Sequence, residues 1–324
     1  MRDPAEALVY LGPGRAGIEP VELPPMAPGM VEVRTLWSAL SRGTERLVFE
    51  GRVPRSEHAR MRAPHQSGDF PFPVRYGYAA VGIVEDGPEQ LIGRHVFALH
   101  PHQTRFRLPE DAVVPVPEGV PPARAVLAAN METALNALWD AVPAPGTRCL
   151  VVGAGLLGWL VTALISLRPD LRVDICDIRT GLDPLAAHFS VNIVTPGAVP
   201  SDACEIAFHA SATAAGLQTA IESLAFEGRV IELSWFGDRP VELRLGGAFH
   251  AKRLSIIASQ VGHVARPRRA ALTRRDRLAR ALAALADPRL DALVTEEVAF
   301  AELPARLPRL LAPGASGIAT RVVY

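Results

Sequence analysis

The chain has few cysteines and lysines, and its charges balance. Its 324 residues include three cysteines, each in an apolar segment, which predicts packed thiols in a reducing compartment and not a disulfide framework. Lys252 is the single lysine, so a Schiff-base mechanism would depend on one residue and is not expected. The formal net charge of zero gives no electrostatic reason to expect a nucleic acid or a membrane surface as a partner.

Long apolar runs are also missing. No stretch approaches the roughly 20 residues that a membrane-spanning helix needs, and residues 1–6 have no signal-peptide core. With 49% hydrophobic and 21% charged residues, the composition is typical of a soluble globular protein of about two domains. We therefore expect a cytoplasmic protein that binds a small-molecule substrate.

Two patterns of predicted secondary structure divide the chain. Up to about residue 122 it is rich in proline, glycine and short β-type runs, which predict a compact β-barrel-like unit. From there helices and strands alternate, which predicts an α/β unit with a doubly wound parallel sheet. The expected strands of that sheet are residues 148–152, 173–177, 204–209, 228–234 and 254–259. The remaining expected elements are helices at 125–141, 266–286 and 303–311 and strands at 293–300 and 318–324.

The most informative segment, residues 149–158, is an apolar strand followed by three glycines and the start of a helix. Gly153 permits a tight turn, Gly155 lets the backbone approach phosphates, and Gly158 lets the helix pack on the strand. The helix start at Leu156 and Leu157 supplies free N–H groups to an anion. The segment predicts a dinucleotide site, the alternative being a glycine turn in another kind of α/β unit.

Asp177, at the end of the next expected strand, and Arg179 bear on the choice of dinucleotide. Asp177 lies roughly 20 residues beyond the glycines, where a carboxylate binds the hydroxyls of the adenosine ribose. This carboxylate favours NAD, because it repels the 2′-phosphate of NADP. Arg179 would bind that phosphate instead, so NADP stays open.

Polar turns follow two further strands of the predicted sheet. Ligands bind beyond the carboxyl ends of the strands in such sheets. The turns therefore predict contacts with the nicotinamide end of the cofactor. Their residues are His209, Ala210 and Ser211 in one turn, and Ser234 and Trp235 in the other.

Three segments resemble the medium-chain dehydrogenase/reductase superfamily, which includes the alcohol dehydrogenases. Residues 38–45 (Ser-Ala-Leu-Ser-Arg-Gly-Thr-Glu) are similar to the loop with the first catalytic zinc ligand and the proton-relay hydroxyl. Residues 76–82 are similar to the Gly-His-Glu segment, and residues 292–300 to the return strand. The resemblance implies a GroES-like catalytic domain (1–122 and 262–324) and a Rossmann NAD(P)-binding domain (123–261). Ser-x-Gly-Thr-Glu and the following Leu-x-x-x-Gly-Arg-x-Pro, ending at Pro54, also resemble the bacteriochlorophyllide dehydrogenase branch.

The metal ligands of that family are replaced here. Ser41 or Arg42 stands where the catalytic cysteine is expected, Tyr78 replaces the histidine, and the third ligand position falls around Ala129. Zinc sites use cysteine, histidine and carboxylate ligands. Residues 1–148 also contain no cysteine for a structural zinc lobe. We therefore expect a zinc-free member.

Without zinc, hydroxyl groups become the candidates for proton transfer. Thr44 matches the proton-relay position, and the Tyr78 phenol would donate a hydrogen bond or proton to a developing alkoxide. Alternatively, Tyr78 only fills the vacated metal pocket. Ser41 is a further candidate, while Glu45 is expected to bind substrate or to fix its loop by hydrogen bonding.

Two histidines just after the short β-type run at residues 95–99 are candidates for metal binding or for substrate binding. His100 and His102 are spaced so that both could chelate a metal, but no third ligand is evident nearby. The preferred interpretation is that they line the mouth of the substrate site.

Three functions remain open at this point. The leading hypothesis is a zinc-independent NAD(P)-dependent oxidoreductase that interconverts an alcohol and a carbonyl. The alternatives are an NAD(P)H-dependent enone or quinone reductase and a non-catalytic dinucleotide-binding sensor or scaffold. The resemblance also implies a homodimer that forms through the last Rossmann strand, near residues 254–259.

Overall fold

The computed structural model describes residues 4–324. Residues 1–3, half of the segment considered above for a signal peptide, lie outside the described residues. Within residues 4–324, no helix combines the length and the apolar character that crossing a bilayer requires.

The β-strands account for most of the regular structure. In chain order they are β1 Ala5–Gly12, β2 Arg15–Val21, β3 Met30–Leu40, β4 Ser67–Gly68, β5 Val74–Arg75, β6 Ala80–Asp86, β7 His95–Ala98, β8 Arg105–Pro109, β9 Val113–Pro115, β10 Arg148–Val152, β11 Arg172–Cys176, β12 Asn192–Val194, β13 Cys204–His209, β14 Leu224–Glu232, β15 Ser255–Ala258, β16 Val294–Ala299 and β17 Ala319–Val323.

The α-helices are short and concentrate in the second half of the chain. They are α1 Arg42–Phe49, α2 Ala128–Ala141, α3 Leu156–Ser166, α4 Asp183–His188, α5 Ala214–Glu222, α6 Ala248–Ala251, α7 Arg274–Ala284 and α8 Leu303–Leu310. Single turns of 3-10 helix lie at Arg55–Glu57, Glu110–Ala112, Pro122–Leu127, Pro196–Ala198, Pro288–Leu293 and Phe300–Glu302.

The chain forms two compact units. Unit 1 comprises the chain up to Ala129 together with Leu282–Ala286 and Val294–Tyr324. Unit 2 comprises Asn130–Ala281 and Asp287–Leu293. The first domain boundary, expected after residue 122, lies seven residues later, after Ala129. Residues 262–281, expected in the GroES-like domain, fall in unit 2.

A buried arginine explains why residues 262–281 belong to unit 2. Arg277 on α7 is buried and donates to Glu132 Oε1 at 2.9 Å and to Asn136 Oδ1 at 2.6 Å, both on α2. It also donates to the carbonyl oxygens of Val261 and His263. Because a buried guanidinium needs such partners, these bonds hold α7 and the preceding loop on α2.

Unit 1 is built from two sheets. One has the strand order β2-β1-β5-β4, and the other has the order β16-β17-β3-β6-β7-β9, with β8 also paired to β3. Strand β17 pairs antiparallel with β3, so the chain's last strand joins a sheet begun near its start. Alternate apolar side chains form a core: Val31, Val33, Ala80, Val84, Val96, Ala98, Phe106, Leu108 and Val113.

Unit 2 contains one parallel sheet of order β12-β11-β10-β13-β14-β15. The four residues Cys149–Val152 at the end of β10 are all buried, as expected for a strand covered on both faces. The order reverses at β10, which lies between β11 and β13. In doubly wound sheets ligands bind at the carboxyl end of such a switch point.

The structure corrects two element predictions. The helix expected over 266–286 covers only Arg274–Ala284, because Pro267 precedes it and Thr273 caps its start by accepting from the Asp276 N–H at 3.1 Å. The segment compared with a loop at residues 38–45 instead comprises the end of β3 and the first turn of α1.

Candidate functional site

Unit 1 brings several predicted site residues together around the end of β3. Ser41 lies between β3 and α1, and Thr44 and Glu45 lie on α1. Tyr78 precedes β6, and His102 lies between β7 and β8. The structure also adds three residues that the sequence did not indicate: Tyr10, Ser38 and Tyr324.

A buried carboxylate organises this region. Glu45 Oε2 accepts hydrogen bonds from the Tyr10 hydroxyl at 2.8 Å and pairs with His102 Nε2 at 3.0 Å. Its Oε1 accepts from the Ser41 N–H at 2.7 Å. Burial alone would raise the pKa of Glu45, but attraction and hydrogen bonding from His102, with the bonds from Ser41 and Tyr10, lower that pKa below its ordinary value.

The hydrogen bonds continue on the other side of His102. His102 Nδ1 lies 2.7 Å from Ser38 Oγ, which lies 2.9 Å from the Tyr324 hydroxyl. In the neutral ring, with Nε2–H donating to Glu45, Nδ1 accepts from Ser38 and Ser38 in turn accepts from Tyr324; in the protonated ring, Nδ1–H donates to Ser38. Both imidazole nitrogens are therefore engaged. We call Tyr10, Ser38, Glu45, His102 and Tyr324 the Glu45 network.

Tyr78 belongs to a neighbouring group of hydroxyls. Its phenol is hydrogen-bonded to the side chains of Ser41 and Thr44. Burial raises the pKa of Tyr78 to about 12, partly offset by these two hydrogen bonds. Tyr78 therefore keeps its proton at neutral pH, as a hydrogen-bond donor must. Tyr78, Ser41 and Thr44 form what we call the hydroxyl cluster.

His100 lies in a packed aromatic environment. Its ring stacks on Phe106 at a centroid distance of 4.1 Å and on His65 at 6.0 Å. Burial lowers the pKa of His100 to about 3, so the ring is neutral. A chelate of His100 with His102 would require His102 to give up its bonds to Ser38 or Glu45.

Arg42, which with Ser41 is a candidate for the expected position of the first metal ligand, binds the backbone near the end of the chain. Its guanidinium donates to the carbonyl oxygens of Ala315 and Gly317. These bonds fix the segment that precedes β17 against the start of α1.

In unit 2, the glycine turn after β10 allows close approaches between backbone segments. Gly153 follows β10 with a φ of +108°, and a Cβ there would lie 2.7 Å from the Ser211 nitrogen. A Cβ on Gly158 would lie 1.9 Å from the Gly153 oxygen, so this glycine permits α3 to pack on β10. A Cβ on Gly155 would meet open space within 4 Å.

Leu156 and Leu157 begin α3, whose first N–H groups have no intrahelical acceptor.

Asp177 and Arg179 lie beside this turn. Asp177 Oδ2 accepts from the Ala154 N–H at 2.6 Å, and Oδ1 accepts from the Arg179 N–H at 2.8 Å. The Arg179 Nε is 3.0 Å from Oδ1, and its Nη2 donates to the Ala154 oxygen at 2.6 Å. Although partial burial raises the pKa of Asp177, these hydrogen bonds and the guanidinium lower it overall. A carboxylate and a guanidinium thus lie together where the sequence predicts contacts with the adenosine ribose.

The ends of β13 and β14 carry a second hydrogen-bonded series. His209 and Glu232 are paired in register, and His209 Nδ1 lies 2.7 Å from Glu232 Oε2. His209 Nε2 lies 2.6 Å from Ser211 Oγ. Sequence reasoning missed Glu232, although it lies near the end of the predicted strand at residues 228–234 and ends β14 in the structure.

The other predicted residues of these turns have mainly backbone roles. Ala210 N–H donates to the Val152 oxygen at 2.8 Å. Ser234 Oγ accepts from the Ala212 N–H at 3.0 Å. Trp235 follows in the irregular segment after β14 and is half-buried.

Comparisons with known proteins identify this arrangement. No protein-family model and no curated protein matches the sequence at a significant level. Among solved structures, L-idonate 5-dehydrogenase from Escherichia coli K-12 matches with a TM-score of 0.81 and 14% identity, covering 100% of this chain and 99% of that one. An alcohol dehydrogenase from E. coli CFT073, complexed with NADH, matches with a TM-score of 0.77 and 14% identity over 99% and 100% of the two chains. A Sinorhizobium meliloti protein bound to NADP matches with a TM-score of 0.79 and 15% identity over 100% of both chains.

The chain has the medium-chain dehydrogenase/reductase fold. Identities this low establish the fold alone. The predicted fold class, a GroES-like domain with a doubly wound parallel sheet, is confirmed. For this example of the medium-chain dehydrogenase fold, the described residues 4–324 contain no group of three or more histidine, cysteine or carboxylate side chains arranged to hold a metal ion.

Proposed function

We propose that the chain is an NAD(P)-dependent oxidoreductase that interconverts an alcohol and a carbonyl without zinc. The observation that carries the proposal is the glycine turn of unit 2, which is open at Gly155 and flanked by Asp177. Open space at that glycine allows a pyrophosphate to approach the backbone N–H groups at the start of α3. Structurally similar proteins bound to NADH and to NADP support the assignment.

Within this proposal, NAD is the preferred cofactor. The Asp177 carboxylate is suited to accept the ribose hydroxyls and repels a 2′-phosphate. Arg179 is already bonded to Asp177 and to the Ala154 oxygen. Its guanidinium would have to leave these partners to bind a phosphate, which favours NAD over NADP.

The hydroxyl cluster would provide the proton path. A bound nicotinamide supplies or accepts the hydride. During carbonyl reduction Tyr78 would donate its proton to the substrate oxygen, and in the reverse direction the alcohol would return it. Ser41 and Thr44, both hydrogen-bonded to the phenol, would hold it in position and stabilise the phenolate.

The residues at the expected metal position do not suit zinc. Zinc takes thiolate, imidazole or carboxylate ligands, whereas the resemblance places Ser41 or Arg42, then Tyr78, and a residue around Ala129 at the family's ligand positions. Two buried side chains of the right type in the same unit, Glu45 and His102, are committed to each other and to Tyr10, Ser41 and Ser38. No step is therefore assigned to a metal.

A substrate panel tests the reaction. Purified protein is treated with a chelator, checked for zinc by elemental analysis, and supplied with NADH or NADPH and a series of ketones, aldehydes, enones and quinones. We expect oxidation of the reduced nicotinamide with carbonyl substrates in zinc-free protein. Turnover with only enones or quinones would replace this proposal by a double-bond or quinone reductase, and binding without any turnover would indicate a sensor.

We also propose that the chain forms a homodimer through the edge strand β15. All four residues of Ser255–Ala258 are exposed, including Ile256 and Ile257 at 36% and 37%. An exposed apolar edge strand can pair with a second copy. Sedimentation should give a dimer, and Ile257→Lys should shift it towards monomer; a monomeric wild-type protein would contradict the proposal.

A further inference from the structure

Positive charge is concentrated in one segment of unit 2, residues 262–281. The segment contains seven arginines and one carboxylate, Asp276, and its net charge is +6. Because the whole chain has a net charge of zero, the other residues together carry −6. Six of the seven arginines are exposed, and these are Arg266, Arg268, Arg269, Arg274, Arg275 and Arg280. We call these six residues the arginine surface.

The arginine surface has few partners within the chain. Exposed arginines elsewhere pair with carboxylates, as Arg148 does with Glu205 at the start of β10. Leaving Arg275 aside, no member of the arginine surface forms a salt bridge with any of residues 4–324. Asp276, the one carboxylate of the segment, accepts from the Thr273 N–H at 2.8 Å and from the Thr273 hydroxyl at 2.6 Å. The guanidinium groups therefore keep N–H donors and positive charge for a bound partner.

The backbone below the arginine surface is held in place. The buried Arg277 side chain on α7 donates to the carbonyl oxygens of Val261 and His263, which closes residues 261–277 into a loop. Within this loop the Leu272 N–H donates to the Arg268 oxygen at 3.0 Å. The bonds of Arg277 to α2 also fix the loop on the body of unit 2. Since the loop is already ordered, binding a partner costs little backbone ordering.

The positions of two arginines destabilise α7. Arg274 and Arg275 lie in the first turn of this helix. The free N–H groups of that turn carry partial positive charge, which disfavours a cation there. Repulsion between neighbouring guanidinium groups adds to this cost. The folding of unit 2 therefore does not explain the arginine surface, whereas a binding role does.

We propose that the arginine surface binds an acidic segment of a partner protein through pairs of guanidinium and carboxylate groups. Arginine pairs with a carboxylate through two parallel hydrogen bonds. A short acidic segment contacts the arginines alone, and salt screens its charges from those more than about 8 Å away. The surface is separate from the glycine turn and from the hydroxyl cluster, so the proposal does not depend on the proposed reaction.

Two other anionic partners fit the surface less well. The phosphate backbone of a nucleic acid continues past the arginines and meets the rest of a chain whose charge is −6. Residues 262–281 also contain no phenylalanine, tyrosine or tryptophan on which an unpaired base could stack. A helix that binds a membrane surface needs an exposed apolar face, but Leu278 and Leu282 of α7 are buried.

Fluorescence anisotropy with a labelled acidic peptide tests the proposal. The probe is a peptide of alternating aspartate and glutamate, titrated with the full chain at about 0.15 M salt. We expect wild type to bind it saturably, and the double variant Arg266→Gln, Arg268→Gln to bind it about five-fold more weakly. The control is the double variant Arg94→Gln, Arg172→Gln at exposed arginines outside the surface, which should bind the probe like wild type. Both variants should melt at the temperature of wild type, because no salt bridge is lost.

Three results would overturn the proposal. The first is a wild-type protein that does not bind the peptide, and the second is an equal loss of affinity in the two double variants. The third comes from titrations with duplex DNA and with phosphatidylserine vesicles under the same conditions. Tighter binding of either one than of the peptide would assign the surface to a nucleic acid or to a membrane.

Discussion

His102 Nε2 lies 3.0 Å from Glu45 Oε2, and the two side chains expose only 1% and 0% of their surface. The residues are 57 positions apart in the chain, with Glu45 on α1 and His102 between β7 and β8. A carboxylate shielded in this way needs partners for its charge, and it has them in His102, Tyr10 and the Ser41 N–H. Since Ser41 also bonds to Tyr78, the Glu45 network positions one member of the hydroxyl cluster.

Replacing Glu45 should change stability in a pH-dependent way. The pKa of Glu45 is lowered from its ordinary value of 4.5, so its stabilising effect is complete above pH 4.5 and is lost as the pH falls through the lower folded value. Glu45→Gln should cost about 2 kcal/mol of unfolding free energy at neutral pH. Urea unfolding measured from neutral pH downwards should show that the difference in unfolding free energy between wild type and Glu45→Gln shrinks below pH 4.5. Glu89→Gln, at an exposed carboxylate, is the control, and a constant difference across the range would contradict the network.

Removing the Tyr78 hydroxyl should affect turnover and not cofactor binding. As the proposed proton donor, it should contribute about 100-fold to the rate, so Tyr78→Phe should lower kcat by that order. The dissociation constant for NADH should stay the same, because the glycine turn is in the other unit. Tyr76→Phe, whose ring lies 6.0 Å from that of Tyr78, is the matched control. Unchanged turnover in Tyr78→Phe would leave Tyr78 as a packing residue.

All four tyrosines should resist ionisation in the folded protein. Burial raises the pKa of each above the ordinary 10.0, in the case of Tyr78 to about 12. An ultraviolet titration should therefore show little tyrosinate at pH 10 until the protein unfolds. Because the unfolded chain releases these protons first, stability should fall as the pH rises above 10. Half-ionised tyrosines at pH 10 in folded protein would contradict the described burial.

Two glycines of one turn should behave differently when replaced by alanine. Gly155→Ala should fold normally, because its φ of −73° suits alanine and no atom lies within 4 Å of the added carbon. That carbon would occupy the space meant for phosphate, so NADH binding should weaken at least about ten-fold. Gly158→Ala should instead destabilise unit 2 by about 2 kcal/mol or more, since its Cβ would overlap the Gly153 oxygen. Thermal melts and calorimetry separate the two effects. Normal NADH affinity in Gly155→Ala would contradict the proposal that the glycine turn binds the pyrophosphate.

The part of the site that could be predicted from sequence is the part formed by neighbours in the chain. Gly153, Gly155 and Gly158 lie within six residues, and Asp177 follows at the end of the next strand, so spacing alone indicates them. Five of the six strands of the parallel sheet were predicted within a few residues for the same reason: each is a short apolar run bounded by turn residues. The three-residue edge strand β12, Asn192–Val194, was not predicted.

The Glu45 network could not be predicted in this way. Tyr10 and Glu45 are 35 residues apart, and Ser38 and Tyr324 are 286 apart. Nothing in the local sequence shows that β17 pairs with β3 and thereby brings Tyr324 to Ser38. The partner of His209 could have been predicted more easily, because Glu232 occupies the matching last position of the adjacent strand.

Calorimetric titration of chelator-treated protein with NADH and NADPH tests the central claim most directly. We predict that the folded, zinc-free protein binds one NADH per chain, and NADPH more weakly because of the Asp177 carboxylate. A folded protein that binds neither cofactor would contradict the account.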